Sequence, residues 1–395
     1  MSAPRVINFG VIGCGLMGRE FASAAARWAH LSNPRTAKSL DFIPRLVAVC
    51  DKDVKLMNWF TDNFGSIKIA STDYHALLEA QEIEAIYCAV PHNLHAQIYA
   101  DVIRAGKHLL GEKPFGIDQS ANDQINAAIA DHPDVLVRCS SEIPFYPGAY
   151  RIARFIREGS FGQIVEVETG FWHSSDLDPQ KPINWKRLVA INGEYGCLGD
   201  LGMHVVHIPF RAGWFPKNVR ALLSNIVTSR PGAGGELVPC ETWDNATLAC
   251  EVEAQDQNFP LLLSTKRIAP GEMNTWFIKV IGMNFSATYS TKTPKTLFTL
   301  PYTPGGSQAW HVEDLGYDSA YPAITGSIFE FGFPDAILQM WATFCDELVN
   351  GRDGMAQSFY CVTPEEARWS HKLFTAALTS QRNEETVRVN GNLEP

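Results

Sequence analysis

Three sets of residues have the types and spacing to do chemistry. In "GVIGCGLMG", Gly13, Gly15 and Gly18 form G-x-G-x-x-G. The first glycine makes a tight turn, the second lets backbone approach a pyrophosphate, and the third lets a helix pack on its strand. Leu16 and Met17, inside the motif, lie against the cofactor, and the N-terminus of the helix that follows faces the phosphates. In "GEKPFG", Glu112 and Lys113 put an acid and a base at the end of a strand-like apolar run, just before a proline. In "GDLGMHVVH", Asp200 and His204 are four apart, so on a helix they share one face, with His207 one turn further on. A carboxylate beside an imidazole orients it and stabilises its charged form, as a general base requires. The same pair also suits a core histidine satisfied by a neighbouring acid. A metal site is not expected, because no further acidic or histidine cluster accompanies the pair.

The elements that must position these residues fall into two textures. Residues 5 to 140 alternate strand-like runs ("VINFGVIG", "IPRLVAVCD", "IEAIYCAVP", "HLLGEKP", "DVLVRCSS") with helical patterns, the rhythm of βαβ units and a parallel sheet. After residue 145 one helical stretch leads into long β-rich runs such as "GQIVEVETGFWHS", "ATLACEVEA" and "TWFIKVIG". Short polar turns between them predict a large, mostly antiparallel open sheet. Two late helical patterns, "PDAILQMWATFCDELVNG" and "TPEEARWSHKLFTAALTSQ", close the chain. The expected organisation is an α/β dinucleotide-binding Rossmann domain over 1–143 and an α+β substrate-binding and oligomerisation domain over 144–395. At 395 residues two domains are the natural expectation. The second strand ends in "VAVCD", which makes Asp51 the candidate for the ribose hydroxyls of NAD. It stands 38 residues beyond Gly13 because the polar stretch "HLSNPRTAKSLDF" is inserted before that strand. An acid there repels a 2′-phosphate, so NAD is expected over NADP.

The net charge of −10 argues against a nucleic-acid backbone or an anionic membrane as partner and favours a small molecule. Nine scattered cysteines without C-x-x-C read as small buried hydrophobes of a reducing compartment. The opening "MSAPRVINFGVIGCG" reads as a first strand and not a signal peptide, and no run approaches a membrane span. A cytoplasmic setting is the expectation.

Taken together, the G-x-G-x-x-G turn, "VPHNLHAQIYADVIRAGKHLLGEKP" and "GDLGMHVVH" resemble the Gfo/Idh/MocA family of oxidoreductases along the whole chain, with E-K-P after A-G-K-H the most specific mark. The resemblance implies that Lys113 is the E-K-P lysine, close to nicotinamide and substrate. It implies that His204 is the base taking a hydroxyl proton while hydride leaves the same carbon, and that Asp200 binds substrate and orients the site. Pro91, His92 and His95 match the segment that lines the cofactor, although His95 also suits a packing role. Glu112 is expected to hold Lys113 or the neighbouring loop beside the cofactor. The function implied is NAD-dependent oxidation of a ring secondary hydroxyl of a sugar or glycoside.

Several residues depart from the family pattern. "NGEYGCLGD" puts Glu194 and Tyr195 before Asp200, where relatives often carry glycines, and an arginine common near the end of the Rossmann domain is missing from "SSEIPFYP". A related branch cleaves glycosides by transient oxidation, elimination, water addition and re-reduction, which needs an additional acid and base. Tyr195, Glu194, His173 or His207 are the candidates for these. A non-catalytic sugar or NAD sensor on the same fold is a third reading, opposed by the retention of Lys113 and His204. In "GFWHSSDLDPQKPINWKR", Trp172 and Trp185 suit a sugar face, and Lys186 and Arg187 an anionic substituent. Core tryptophans and solvated cations are the alternatives. The apolar sheet of the second domain is expected to join copies into a homo-oligomer.

Overall fold

A computed structural model describes residues 3–389, and the chain divides into two compact units. The first is built on β1 (Arg5–Ile12), α1 (Leu16–Ala26), β2 (Phe42–Cys50), α2 (Val54–Asn63), β3 (Ile69–Ser71), α3 (His75–Glu79), β4 (Ala85–Cys88), α4 (His95–Arg104), β5 (His108–Glu112), α5 (Gln119–Asp131) and β6 (Val137–Ser140). Its six strands are parallel in the order β3-β2-β1-β4-β5-β6, the doubly wound dinucleotide-binding arrangement. With helices on both faces the central strands bury side chains on both sides: all four residues of β4 and the last four of β1 are buried.

The second unit carries α6 (Pro147–Arg157), β7 (Ile164–Trp172), the short α7 (Val189–Asn192), α8 (Cys197–Arg211), β8 (Pro216–Ser224), β9 (Ser229–Pro231), β10 (Leu237–Pro239), β11 (Asn245–Ala254), β12 (Gln257–Lys266), β13 (Thr275–Gly282), β14 (Phe285–Ser290), β15 (Thr296–Pro301) and β16 (His311–Asp314). After α9 (Phe333–Asn350) the chain ends this unit with α10 (Pro364–Asn383) and β17 (Val387–Arg388). A nine-stranded sheet runs β16-β15-β14-β13-β7-β12-β11-β8-β17, antiparallel except where β7 lies parallel to β12. One face is covered by α8: the Thr169 hydroxyl and Val205 carbonyl are 3.3 Å apart, and the Trp276 indole N–H donates to the His204 carbonyl at 3.0 Å. Strand parity therefore assigns Val167, Thr169 and Phe171 to the covered face and Glu168, Gly170 and Trp172 to the open one.

The expectation of a single domain over 144–395 is corrected by Gly316–Pro364, which belongs to the first unit. The reason is aromatic packing. Trp341 of α9 is fully buried, with its ring centroid 4.0 Å from Phe21, 5.2 Å from Phe9 and 5.8 Å from Trp28. A bidentate pair between Arg138 and Glu347 ties the same helix to β6.

Candidate functional site

The glycine turn has the geometry a dinucleotide needs. Gly13 has φ +98°, and a Cβ there would lie 2.2 Å from the Ala89 carbonyl oxygen; one on Gly18 would lie 2.1 Å from the Gly13 oxygen. Both positions exclude any side chain, the first for the turn and the second for helix-on-strand packing. Gly15 has open space around its missing Cβ and starts α1 without a side-chain cap. An uncapped first turn leaves backbone N–H groups for an anion, and Leu16, exposed, and Met17, half-buried, flank it. Asp51 follows β2, its carboxylate accepting from Cys14 N–H at 2.7 Å and from Asp53 N–H at 2.9 Å. A carboxylate has about four lone-pair positions, so capacity remains for ribose hydroxyls. The residues present fit the dinucleotide.

Beyond β4, Pro91 is exposed and His92 buried. His95 is fully buried and stacked on Tyr99 at 4.6 Å. Its Nδ1 accepts from Gly116 N–H at 3.4 Å, so its Nε2 carries the proton and donates to the Val90 carbonyl at 3.1 Å. His95 thus joins the loop after β4 to the turn after Lys113, a packing role that serves the site indirectly.

At the end of β5 the Glu112 carboxylate is buried and turned inward. Tyr87 Oη and Ser140 Oγ donate to its Oε1 at 2.7 and 2.8 Å, and Tyr99 Oη donates to its carbonyl at 2.8 Å. Lys113 follows, half-buried, its peptide bond to Pro114 is cis, and Phe115 sits at φ +65°. That left-handed backbone is unfavourable for a bulky residue. It is held by Asn122, whose side-chain amide donates to the Phe115 carbonyl at 2.9 Å. Glu142, which sequence reasoning passes over as part of a linker, is buried in the same cluster. Burial and the Glu112 charge push its carboxyl up to about 7, against the opposing pull of Lys113.

In the second unit α8 places Asp200 and His204 one turn apart, both buried, with the imidazole edge-on to Phe171 at 5.4 Å. His173, half-buried, is next along that covered face, 5.0 Å from Phe171. Asp200 is gripped by two cations. Arg267 donates to its Oδ2, and Lys186 Nζ is 3.0 Å from Oδ1 and 3.3 Å from Oδ2. Arg267 also binds Asp176 at 3.1 Å. Burial alone would raise the Asp176 carboxyl, but Arg267, Lys181, Arg187 and Arg230 hold it below the usual range. Trp185, half-buried, lies under the Lys186 ammonium at 5.5 Å. Arg267 and Asp176, which bind and back Asp200, are not singled out by the sequence, where "STKR" is only the end of a β-rich run.

Five expectations are corrected here. The Tyr195 hydroxyl is buried against α10, 2.8 Å from Thr375 Oγ1, and burial pushes it up to about 12, so it is no proton carrier. Glu194 points outward to an ion pair with Arg382. Arg187 is fully buried and paired with Asp244 and Asp176, so it meets no substrate. Trp172 lies on the open face, its ring edge-on to Phe277 at 4.8 Å and beneath Lys266 Nζ at 4.3 Å, on the opposite side of the sheet from α8. His207 is buried too, and burial with the Arg211 charge holds it well below the ordinary imidazole range, hence neutral. Among the described residues no cluster of His, Cys, Asp or Glu is arranged to hold a metal ion.

Residues 7–138 match the model of an oxidoreductase family described as having an NAD-binding Rossmann fold. A levoglucosan dehydrogenase of Pseudarthrobacter phenanthrenivorans is 26% identical over 230 residues, 58% of this chain and 57% of that one. A 2,7-anhydro-N-acetylneuraminate hydratase of Escherichia coli is 24% identical over 237 residues, 58% of this chain and 56% of that one. These matches thus span little more than half the length of the curated relatives. A solved structure, levoglucosan dehydrogenase in complex with NADH and L-sorbose, superposes with a TM-score of 0.84 at 20% identity, covering 98% of this chain and 99% of that one. The fold is shared along the chain.

Proposed function

We propose that this chain is a member of the Gfo/Idh/MocA family of NAD-binding oxidoreductases, whose model its residues 7–138 match, and that it oxidises a ring secondary hydroxyl of a sugar or glycoside. The observation that carries this reading is the Asp200–His204 pair on one face of α8, its acid gripped by Arg267 and Lys186, in a chain whose first unit has a dinucleotide turn. NAD, when bound, supplies the hydride acceptor. His204 takes the hydroxyl proton, Asp200 binds and orients the sugar, and the Lys113 ammonium stabilises alkoxide charge as the proton leaves. The relatives named as a levoglucosan dehydrogenase and a 2,7-anhydro-N-acetylneuraminate hydratase support a carbohydrate substrate.

The second reading is redox-neutral cleavage of a glycoside, possible on the same residues and supported by the relative named as a hydratase. It needs an acid and base beyond His204. With Tyr195, Glu194 and His207 occupied or buried, His173 is the remaining candidate for that work.

The test is to incubate the protein with NAD and a panel of free sugars, anhydro sugars and aryl glycosides, following NADH absorbance and aglycone release together. NADH without aglycone supports the oxidoreductase. Aglycone without net NADH supports the second reading, and ligand binding with neither product reduces the protein to a sensor.

The open face of the nine-stranded sheet carries Trp172, Leu222, Leu262 and Phe277, of which Leu222 is 62% exposed. Such a face supports a homo-oligomer assembled through this sheet. A cytoplasmic setting agrees with nine buried cysteines, none of them in a disulfide, and no helix among the described residues is long and apolar enough to cross a membrane.

A further inference from the structure

We propose that Arg267 is the positioning residue of the active site: one guanidinium bridges Asp176 and Asp200 and so fixes the direction in which Asp200 meets the substrate. The inference rests on the catalytic reading of Asp200 given above. Two different nitrogens are used, Nη1 for Asp176 and Nη2 for Asp200, so the planar fork sets the relative placement of the two carboxylates. All three side chains are buried, Arg267 at 4%, Asp176 at 0% and Asp200 at 2% exposure. Little water therefore competes for these bonds.

The bridge is itself anchored. Arg267 follows β12 directly, and its backbone N–H donates to the Asp244 carbonyl at 2.9 Å and lies 3.2 Å from Asn245 Oδ1. Behind Asp176, Arg230 donates to its carbonyl and Arg187 lies 3.7 Å from its carboxylate, while Lys181 is 3.4 Å from Oδ1. Lys186 grips Asp200 as well, but its side chain is 33% exposed and ends in a single ammonium on a flexible stem. Of the two cations, Arg267 has the geometry to set an orientation. His204, one turn along α8, has the Phe171 ring edge-on to its imidazole, and its carbonyl accepts from the Trp276 indole. Arg267 thus acts on the reaction through Asp200.

A double-mutant cycle tests this, with full-length protein and the panel substrate of highest kcat/KM. Arg267→Met is expected to lower kcat about a hundredfold, the scale on which small misplacement of a catalytic group is felt. In an Asp200→Asn background the same change is expected to cost less than about threefold, because the two residues act as one unit. Arg267→Lys, which keeps the charge but loses the fork, is expected to fall between and serves in both backgrounds if the methionine variant does not fold. NAD affinity, read by fluorescence titration, should stay at the wild-type value in all of them. An equal loss in both backgrounds overturns the positioning role while leaving the catalytic reading intact. Full activity in Asp200→Asn alone, or a panel with no turnover, overturns the catalytic reading and this proposal with it.

Discussion

The Asp51 carboxylate accepts a hydrogen bond from the backbone N–H of Cys14 at 2.7 Å, tying the end of the second strand to the glycine turn. One acid thereby shapes the turn, and in the proposed reading the same carboxylate binds the ribose. Asp51→Ala is expected to weaken NAD binding at least about tenfold, or ~1.4 kcal/mol, and to narrow the preference for NAD over NADP. Titration of both cofactors by protein fluorescence measures this; an unchanged NAD affinity would dispose of the assignment.

Lys113 is expected to contribute to turnover and little to cofactor affinity. Lys113→Ala should lower kcat by about 10²–10³, the range for losing one group aimed at developing negative charge, while NAD binding falls only slightly. Steady-state kinetics beside a binding titration separates the two. A variant retaining full kcat removes the lysine from the chemistry.

Glu142 makes stability depend on pH in a direction opposite to that of most carboxylates. Its carboxyl is raised, by burial first and the Glu112 charge second, from the usual 4.5 to about 7. The folded chain therefore holds a proton that the unfolded chain releases between these values, and stability falls as pH rises from about 4.5 to 7. The contribution is on the order of 3 kcal/mol. Glu142→Gln, neutral throughout, should flatten this part of the profile and stabilise the protein at pH 8 relative to wild type. Urea denaturation at a series of pH values reads it, and parallel profiles for the two proteins would contradict it.

Tyr195 is expected to be dispensable for chemistry. Its hydroxyl is committed to Thr375 and lies 3.4 Å from the His371 carbonyl, so Tyr195→Phe should keep kcat within about twofold and cost ~1 kcal/mol of stability. A loss of kcat beyond tenfold with unchanged melting would return it to the reaction.

What the sequence made legible was local. Gly13, Gly15 and Gly18 announce themselves because backbone sterics decide their roles within a few residues, and Asp200 with His204 because helical spacing alone puts both on one face. Partners distant in sequence were not legible. Arg267 reaches Asp200 across 67 positions, and the direction of the Tyr195 hydroxyl is decided by Thr375, 180 positions away. For Trp172 the alternation of the strand is plain, but which parity faces α8 depends on how the sheet and helix pack. Glu142 escaped because a buried acid in a proline-rich linker looks, in one dimension, like a solvated one.

The return of Gly316–Pro364 to the first unit has a consequence for the making of the protein. A ribosome that has released every residue of the six-stranded sheet has still to synthesise Trp341 and the rest of the helix that covers Phe9 and Phe21. Until then the earlier half waits with an aromatic face uncovered, while the whole of the nine-stranded sheet except its last edge strand is translated. Vectorial synthesis thus imposes an order in which the nucleotide half starts first but cannot finish first, and chaperones would find their substrate in that interval.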